Sequence, residues 1–188
     1  NPGPVDVDSK ICNTPADFKS RSGLGIIHLN MRSVLPKIDS LRIWAKSTDA
    51  DIIILSETWL SKSVTDKAIA VSGYNVYRTD WPRKAGGVAI YVTSKFNANI
   101  VLSKSVNKQL EFLPLNVEVY KGMFITVVGS YRPPSAVADT LQTLSQLLSQ
   151  LQYREIVLVG DLNWDWIKPA SDSLKDLCSE LNLTQIIG

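Results

Sequence analysis

The stretch Asp51 to Ser56 (DIIILS) sets four large apolar residues in a row and then stops at Ser56-Glu57. A β-strand turns successive side chains to opposite faces, so a strand of this kind must be covered on both sides. Phe124 to Tyr131 (FITVVGSY) and Ile156 to Val159 (IVLV, closing on Gly160-Asp161) repeat the pattern. Leu24–Leu29, Tyr74–Arg78, Val88–Thr93, Ile100–Leu102 and Leu113–Val119 are further strand candidates. Helical spacing appears in three places. Leu35, Ile38, Leu41 and Ala45 predict a helix over 36–46 with Pro36 near its start. Leu141, Leu144, Leu148 and Leu151 form a leucine stripe with Asp139 near its N-terminus. Leu174, Leu177, Cys178 and Leu181 suggest a last helix. Strands outnumber helices and need cover on both faces. That predicts an α/β fold of two packed sheets with helices outside, rather than a regular βαβ winding.

A chain of 188 residues is long enough for one domain with a substantial core. The first 22 residues are rich in Pro, Asp, Asn and Ser without apolar period, so 1–22 reads as a flexible leader and 23–188 as the domain. No run of 18 apolar residues occurs and no charged-then-apolar N-terminus, so no membrane partner is expected. Cys12 and Cys178 fit no metal or redox spacing and read as reduced thiols. An intracellular protein, nuclear or cytoplasmic, is the resulting expectation. The net charge of +2 permits a nucleic-acid partner without suggesting one.

The polar residues that close the apolar strands carry the chemistry. Asn30 follows GIIHL, Glu57 follows DIIILS, Tyr131-Arg132 follow FITVVGS, and Asp161 with Asn163 follow EIVLVG. If those strands are neighbours pointing one way, the polar groups converge at one edge, where ionised carboxylates need a partner such as a cation. Magnesium takes oxygen ligands and keeps several waters, so one or two carboxylates, an amide and a substrate phosphate suffice. A second carboxylate can orient the attacking water, and Asn and Tyr can donate to a phosphate as its charge grows. The absence of any Cys/His cluster argues against structural zinc.

Five strings recur in a telling order: HLNMRS around Asn30, SETWL around Glu57, GGVAIYV at 86–92, SYRPP at 130–134 and GDLNWDW at 160–166. Together they resemble the successive signatures of non-LTR (LINE-type) retrotransposon endonucleases. These are relatives of apurinic/apyrimidinic endonucleases and deoxyribonuclease I within the endonuclease/exonuclease/phosphatase superfamily. The resemblance implies a four-layer α/β sandwich, two mixed sheets face to face with helices outside. It also implies a single-strand nick in target DNA whose new 3′-OH primes reverse transcription. By the same resemblance Glu57 is the principal Mg²⁺ ligand, with Mn²⁺ as a substitute, and Asn30 helps to hold metal and phosphate. Asp161 positions or activates water, Asn163 hydrogen-bonds the scissile phosphate, and Tyr131 lines the site. Arg32, Arg132, Arg83 and Lys84 are the expected DNA-backbone contacts.

The family pattern ends with a further Thr, a metal-side Asp and a closing Ser-Asp-His. Here the one histidine is His28, ahead of Asn30, and it reads as a core or strand-face residue. The expectation is therefore a fold lacking its last strands and a weak or inactive chain. The alternative is a non-catalytic descendant that binds nucleic acid or protein. An uncovered sheet edge would invite a homodimer or a partner chain. The opening NPGP is similar to the end of a ribosome-skipping peptide. Trp59, Trp81, Trp164 and Trp166 are expected to fill gaps between sheets and helices rather than to stack on bases. Taken singly, several of these residues have ordinary readings, Gly160-Asp161 as a turn and Asn30 as a cap.

Overall fold

The computed structural model describes residues 23–81, 85–106, 109–137, 139–151, 155–165, 167 and 172–186. The leader 1–22 with NPGP and Cys12, as well as Arg83, Lys84 and Trp166, lie outside the described residues. Nine strands and three α-helices are described: β1 (Ile26–Asn30), α1 (Ile38–Thr48), β2 (Ile52–Ser56), β3 (Tyr74–Thr79), β4 (Val88–Thr93), β5 (Asn97–Ile100), β6 (Lys104–Val106), β7 (Leu110–Tyr120), β8 (Met123–Tyr131), α2 (Thr140–Ser149), β9 (Ile156–Asp161) and α3 (Asp172–Glu180).

They build two mixed sheets. The first has the order β1-β2-β4-β3, with β1 parallel to β2. In the second, β7, β8 and β9 are successive neighbours, β8 and β9 run parallel, and β5 and β6 both pair with β7. The apolar runs explain the layering. Along β2, Ile52 and Ile54 point into the space between the sheets, where they meet Leu113, Leu115, Val117 and Val127. Ile53 and Leu55 point the other way, onto Leu41 and Ala45 of α1. Val128 and Phe112 of the second sheet turn outward onto Leu144, Leu147 and Leu148 of α2 and Leu174 and Leu177 of α3. Three apolar clusters thus separate four layers, as the uninterrupted apolar strands required.

Two local expectations change. The helix expected over 36–46 opens as a 3₁₀ turn, Leu35–Lys37, and the α-helix runs on from Ile38 to Thr48. Pro36 suits a first turn, having a fixed φ and no amide to satisfy. Of the strand expected at Ile100–Leu102, Ile100 closes β5, and Val101 and Leu102 fall in the break before β6. Both strands pair with β7, on either side of Pro114, whose carbonyl accepts from the Val101 amide. Proline has no N–H to give the ladder, so the facing chain bends away there.

Candidate active site

The parallel pairs put the chain reversals of both sheets at one end. β1 and β2 pair in register up to Asn30–Ser56, and β8 and β9 up to Tyr131–Asp161. Across β7, Glu111 is the partner of Tyr131. The second sheet therefore carries Glu111, Tyr131 and Asp161 side by side on three adjacent strands. Facing them, the first sheet presents Gly87 at the start of β4, Glu57 just beyond β2, and Asn30 at the end of β1.

Each member of one row meets a member of the other. Asn30 Nδ2 donates to Asp161 Oδ2 at 3.0 Å and also to Glu57 Oε1 at 2.8 Å. The Tyr131 phenol lies close enough to the Glu57 carboxylate to feel its charge. The Gly87 amide donates to Glu111 Oε1 at 2.7 Å. The row runs from solvent into the core, since Asn30 is exposed, Tyr131 is 6% exposed and Glu111 is fully buried. Burial raises the Tyr131 pKa, and the Glu57 carboxylate adds to the effect, so the phenol remains a donor. Burial also pushes the Glu111 carboxyl up to about 8; the Gly87 hydrogen bond opposes this, and Asp80 and Glu57 reinforce it.

Glu57 and Asp161 thus share one amide nitrogen, two acids that bring negative charge to one point at the mouth of the cleft. Among the described residues no group of three or more His, Cys, Asp or Glu gathers as a metal cage. Two carboxylates without imidazole or thiolate suit a hard cation that retains water and takes further oxygens from a phosphate. The donor set fits a hard divalent cation.

The remaining predicted residues are placed as follows. Asn163 lies in the left-handed region (φ 50), its amide bonded to Asp161 Oδ1 at 3.1 Å and its Nδ2 to the Arg132 carbonyl at 2.7 Å. One Nδ2 proton remains to donate. Arg132 does not project as the DNA contact expected of it. It is 8% exposed, and its guanidinium donates to the carbonyls of Leu162, Asn163 and Ala136 and lies 4.4 Å from the Trp164 ring centroid. A planar donor fork amid free loop carbonyls becomes a brace. Arg32 is exposed in the loop after β1. His28 is half-buried against the Ser56 hydroxyl at 3.0 Å; burial lowers its pKa and Asp161 opposes that. Trp81 and Trp164 pack as expected, whereas Trp59 is 38% exposed beside Glu57, at φ 53. Sequence reasoning passed over Glu111 altogether. The signal was there: an acid followed by FLPLNV, at the start of a strand too apolar to face water.

Two sheets packed face to face, with paired acids where their parallel strands end, define a class of metal-dependent phosphoester hydrolases. Residues 27–177 match the Endonuclease/Exonuclease/phosphatase family. The chain belongs to that family, whose enzymes are generally divalent-metal dependent. Solved structures share the fold. A 3′ phosphatase, NExo, from Neisseria, bound to product DNA hairpin, aligns at TM-score 0.62 and 15% identity, covering 85% of this chain and 71% of that one. The mannosyl-6-phosphatase Bt3783 of Bacteroides thetaiotaomicron aligns at TM-score 0.61 and 14% identity, covering 82% and 70%. An AP endonuclease from Archaeoglobus fulgidus aligns at TM-score 0.60 and 18% identity, covering 84% and 71%. At these identities the likeness speaks for the fold alone. A search of curated proteins found no match.

Proposed function

We propose that the chain is a Mg²⁺-dependent DNA endonuclease domain of a non-LTR retrotransposon, nicking target DNA to prime reverse transcription. One observation carries the hydrolytic part: Asn30 Nδ2 joins Glu57 and Asp161 from opposite sheets. Glu57 and Asn30 would hold the cation. When bound, the cation would neutralise charge on a phosphate and position an oxygen nucleophile. Asp161 would accept a proton from water, and Asn163 Nδ2 and the Tyr131 hydroxyl would donate to phosphate oxygens. A nucleic-acid substrate is supported by the company the fold keeps, which includes an AP endonuclease and a 3′ phosphatase bound to product DNA. The retrotransposon branch is supported by the order and wording of HLNMRS, SETWL, GGVAIYV, SYRPP and GDLNWDW. Work on genomic DNA would place it in the nucleus, after synthesis in the cytoplasm.

Among the described residues β1 pairs with β2 alone and β9 with β8 alone, so each has an edge open to another chain. A homodimer or a partner strand there belongs to the same reading, and a clean monomer by light scattering at high concentration counts against it. No described helix is long and apolar enough to cross a membrane.

The test is supercoiled plasmid with Mg²⁺, with Glu57→Ala and Asp161→Asn in parallel. Weak conversion to relaxed circles by the wild type, falling to background in both variants, is expected. A folded wild-type chain that binds DNA and makes no nick would replace this reading with that of a non-catalytic binding module.

A further inference from the structure

Of the three contacts across the cleft, the outer two belong to the proposed chemistry and the innermost does not. Glu111 is fully buried, and its Oε2 has no hydrogen-bond partner among the described residues. A leucine of similar size would cost less to bury at that position, so the carboxyl needs a reason. Its one hydrogen bond, Gly87 N–H to Oε1 at 2.7 Å, ties the second sheet to the first. We propose that Glu111 is a positioning residue for Glu57: by holding the Gly86–Gly87 turn, it fixes the segment that aims the Glu57 carboxylate into the cleft. The inference rests on the metal-site reading of Glu57.

The turn and the Glu57 segment are joined backbone to backbone. The Gly87 carbonyl accepts from the Thr58 amide at 3.1 Å, and the Gly86 carbonyl from the Trp59 amide at 2.8 Å. On the other side the carbonyls of Glu57 and Thr58 accept from Ser33 and Val34. This double grip is needed because Glu57 and Trp59 both sit in the left-handed region, at φ 52 and 53. Such conformations are strained for non-glycine residues and persist only where the surroundings enforce them. The turn itself has no side chain with which to brace. Gly86 and Gly87 lie at φ 76 and 91, and a Cβ on either would fall 2.5 Å from Glu111 Oε1 or 2.1 Å from Thr58 Oγ1. Both glycines are therefore forced, and the Glu111 carboxyl supplies the hold that a turn side chain cannot. The GGVAIYV string thereby acquires a physical reason: two glycines that let a buried acid reach the metal-bearing loop from behind.

Glu111→Leu keeps the volume and removes the acceptor, whereas Glu111→Gln keeps the acceptor and removes the ionisable carboxyl. Mn²⁺ affinity by calorimetry and amide exchange by NMR are the two readouts. The leucine variant is expected to lose about 10- to 100-fold in Mn²⁺ affinity, the usual effect of removing a group that orients a ligand. It should also exchange the Gly87, Thr58 and Trp59 amides faster while β2 stays protected. The glutamine variant is expected to restore both. A leucine variant with wild-type affinity and exchange overturns the proposal. So does a glutamine variant as damaged as the leucine one, because the acceptor oxygen would then not be what holds the turn. If the leucine variant does not fold, Glu111→Asp, which shortens the reach and keeps the carboxyl, is judged by the same two results. A wild type that binds no Mn²⁺ removes the metal reading of Glu57, and amide exchange still decides whether Glu111 sets residues 57–59.

Discussion

β2 and β9 each deliver one of the two acids of the site, but they are built very differently. β2 lies between β1 and β4, and every one of its residues is buried. β9 has β8 on one side alone among the described residues, and all six of its residues are only partly buried. Glu57 therefore stands on a strand that cannot shift without disturbing two apolar clusters. Asp161 stands on one that is held by a single ladder, by the partly buried Ile156, Leu158 and Val159, and then by Arg132, which grips the loop beyond it. The contrast suits a division of labour. A cation needs its ligand fixed, whereas a residue that handles water and a leaving proton tolerates some play.

The largest effect should come from breaking the rigid side. Ile54 is fully buried between the sheets, so Ile54→Ala is expected to cost about 4 kcal/mol, within the usual range for such deletions. Val159→Ala, at the partly buried position on β9, should cost about 1–2 kcal/mol. Urea unfolding of both variants checks the ratio; equal costs would mean that β9 is as firmly built as β2.

Next is the brace. Arg132→Ala leaves the carbonyls of Leu162, Asn163 and Ala136 without their donor and uncovers Trp164. A loss of about 2 kcal/mol is expected, with Arg132→Lys recovering little of it, because an ammonium cannot span the three acceptors in one plane. If lysine restores full stability, the brace is only a charge.

How far this contrast could be read beforehand depends on the residue. The buried nature of β2 was plain, because IIIL leaves no polar face, and the convergence of Asn30, Glu57, Tyr131 and Asp161 followed from where the apolar runs stop. Arg132 misled, since an arginine after a strand reads as solvated until the loop carbonyls around it are seen. Glu111 was passed over for the opposite reason: an acid at the head of a strand looks like a surface residue unless the apolar run after it is weighed, and the register opposite Tyr131 turns it inward. The β5–β6 break needed knowledge of which strand faced Pro114. Pattern reveals what one segment wants, and pairing decides what two segments do to each other.

The interior acid sharpens the comparison through pH. In the metal-free chain the Glu111 carboxyl is held up at about 8, chiefly by burial. Between its ordinary carboxylate range and pH 8 the folded state keeps a proton that the unfolded state has released. Stability from this group is thus complete at low pH and lost as pH rises through about 8. Wild type should fall in melting temperature from pH 6 to pH 8 relative to Glu111→Gln, and a parallel pair of profiles would place the carboxyl in water.

The smallest effect belongs to the open rim. Arg32 lies exposed in the loop after β1, where it would meet a DNA backbone drawn to the Glu57–Asp161 mouth without touching the chemistry. Replacing it with Ala should leave stability within about 0.5 kcal/mol of wild type, as surface changes generally do. DNA affinity should weaken evenly across sequences, and the slope of log affinity against log salt should shrink by about 0.9, the signature of one phosphate contact. An unchanged slope would remove Arg32 from the DNA surface. A change in sequence preference instead would mean that it reads bases, which a loop beside an edge strand, freer to adapt than the β2 end, could do.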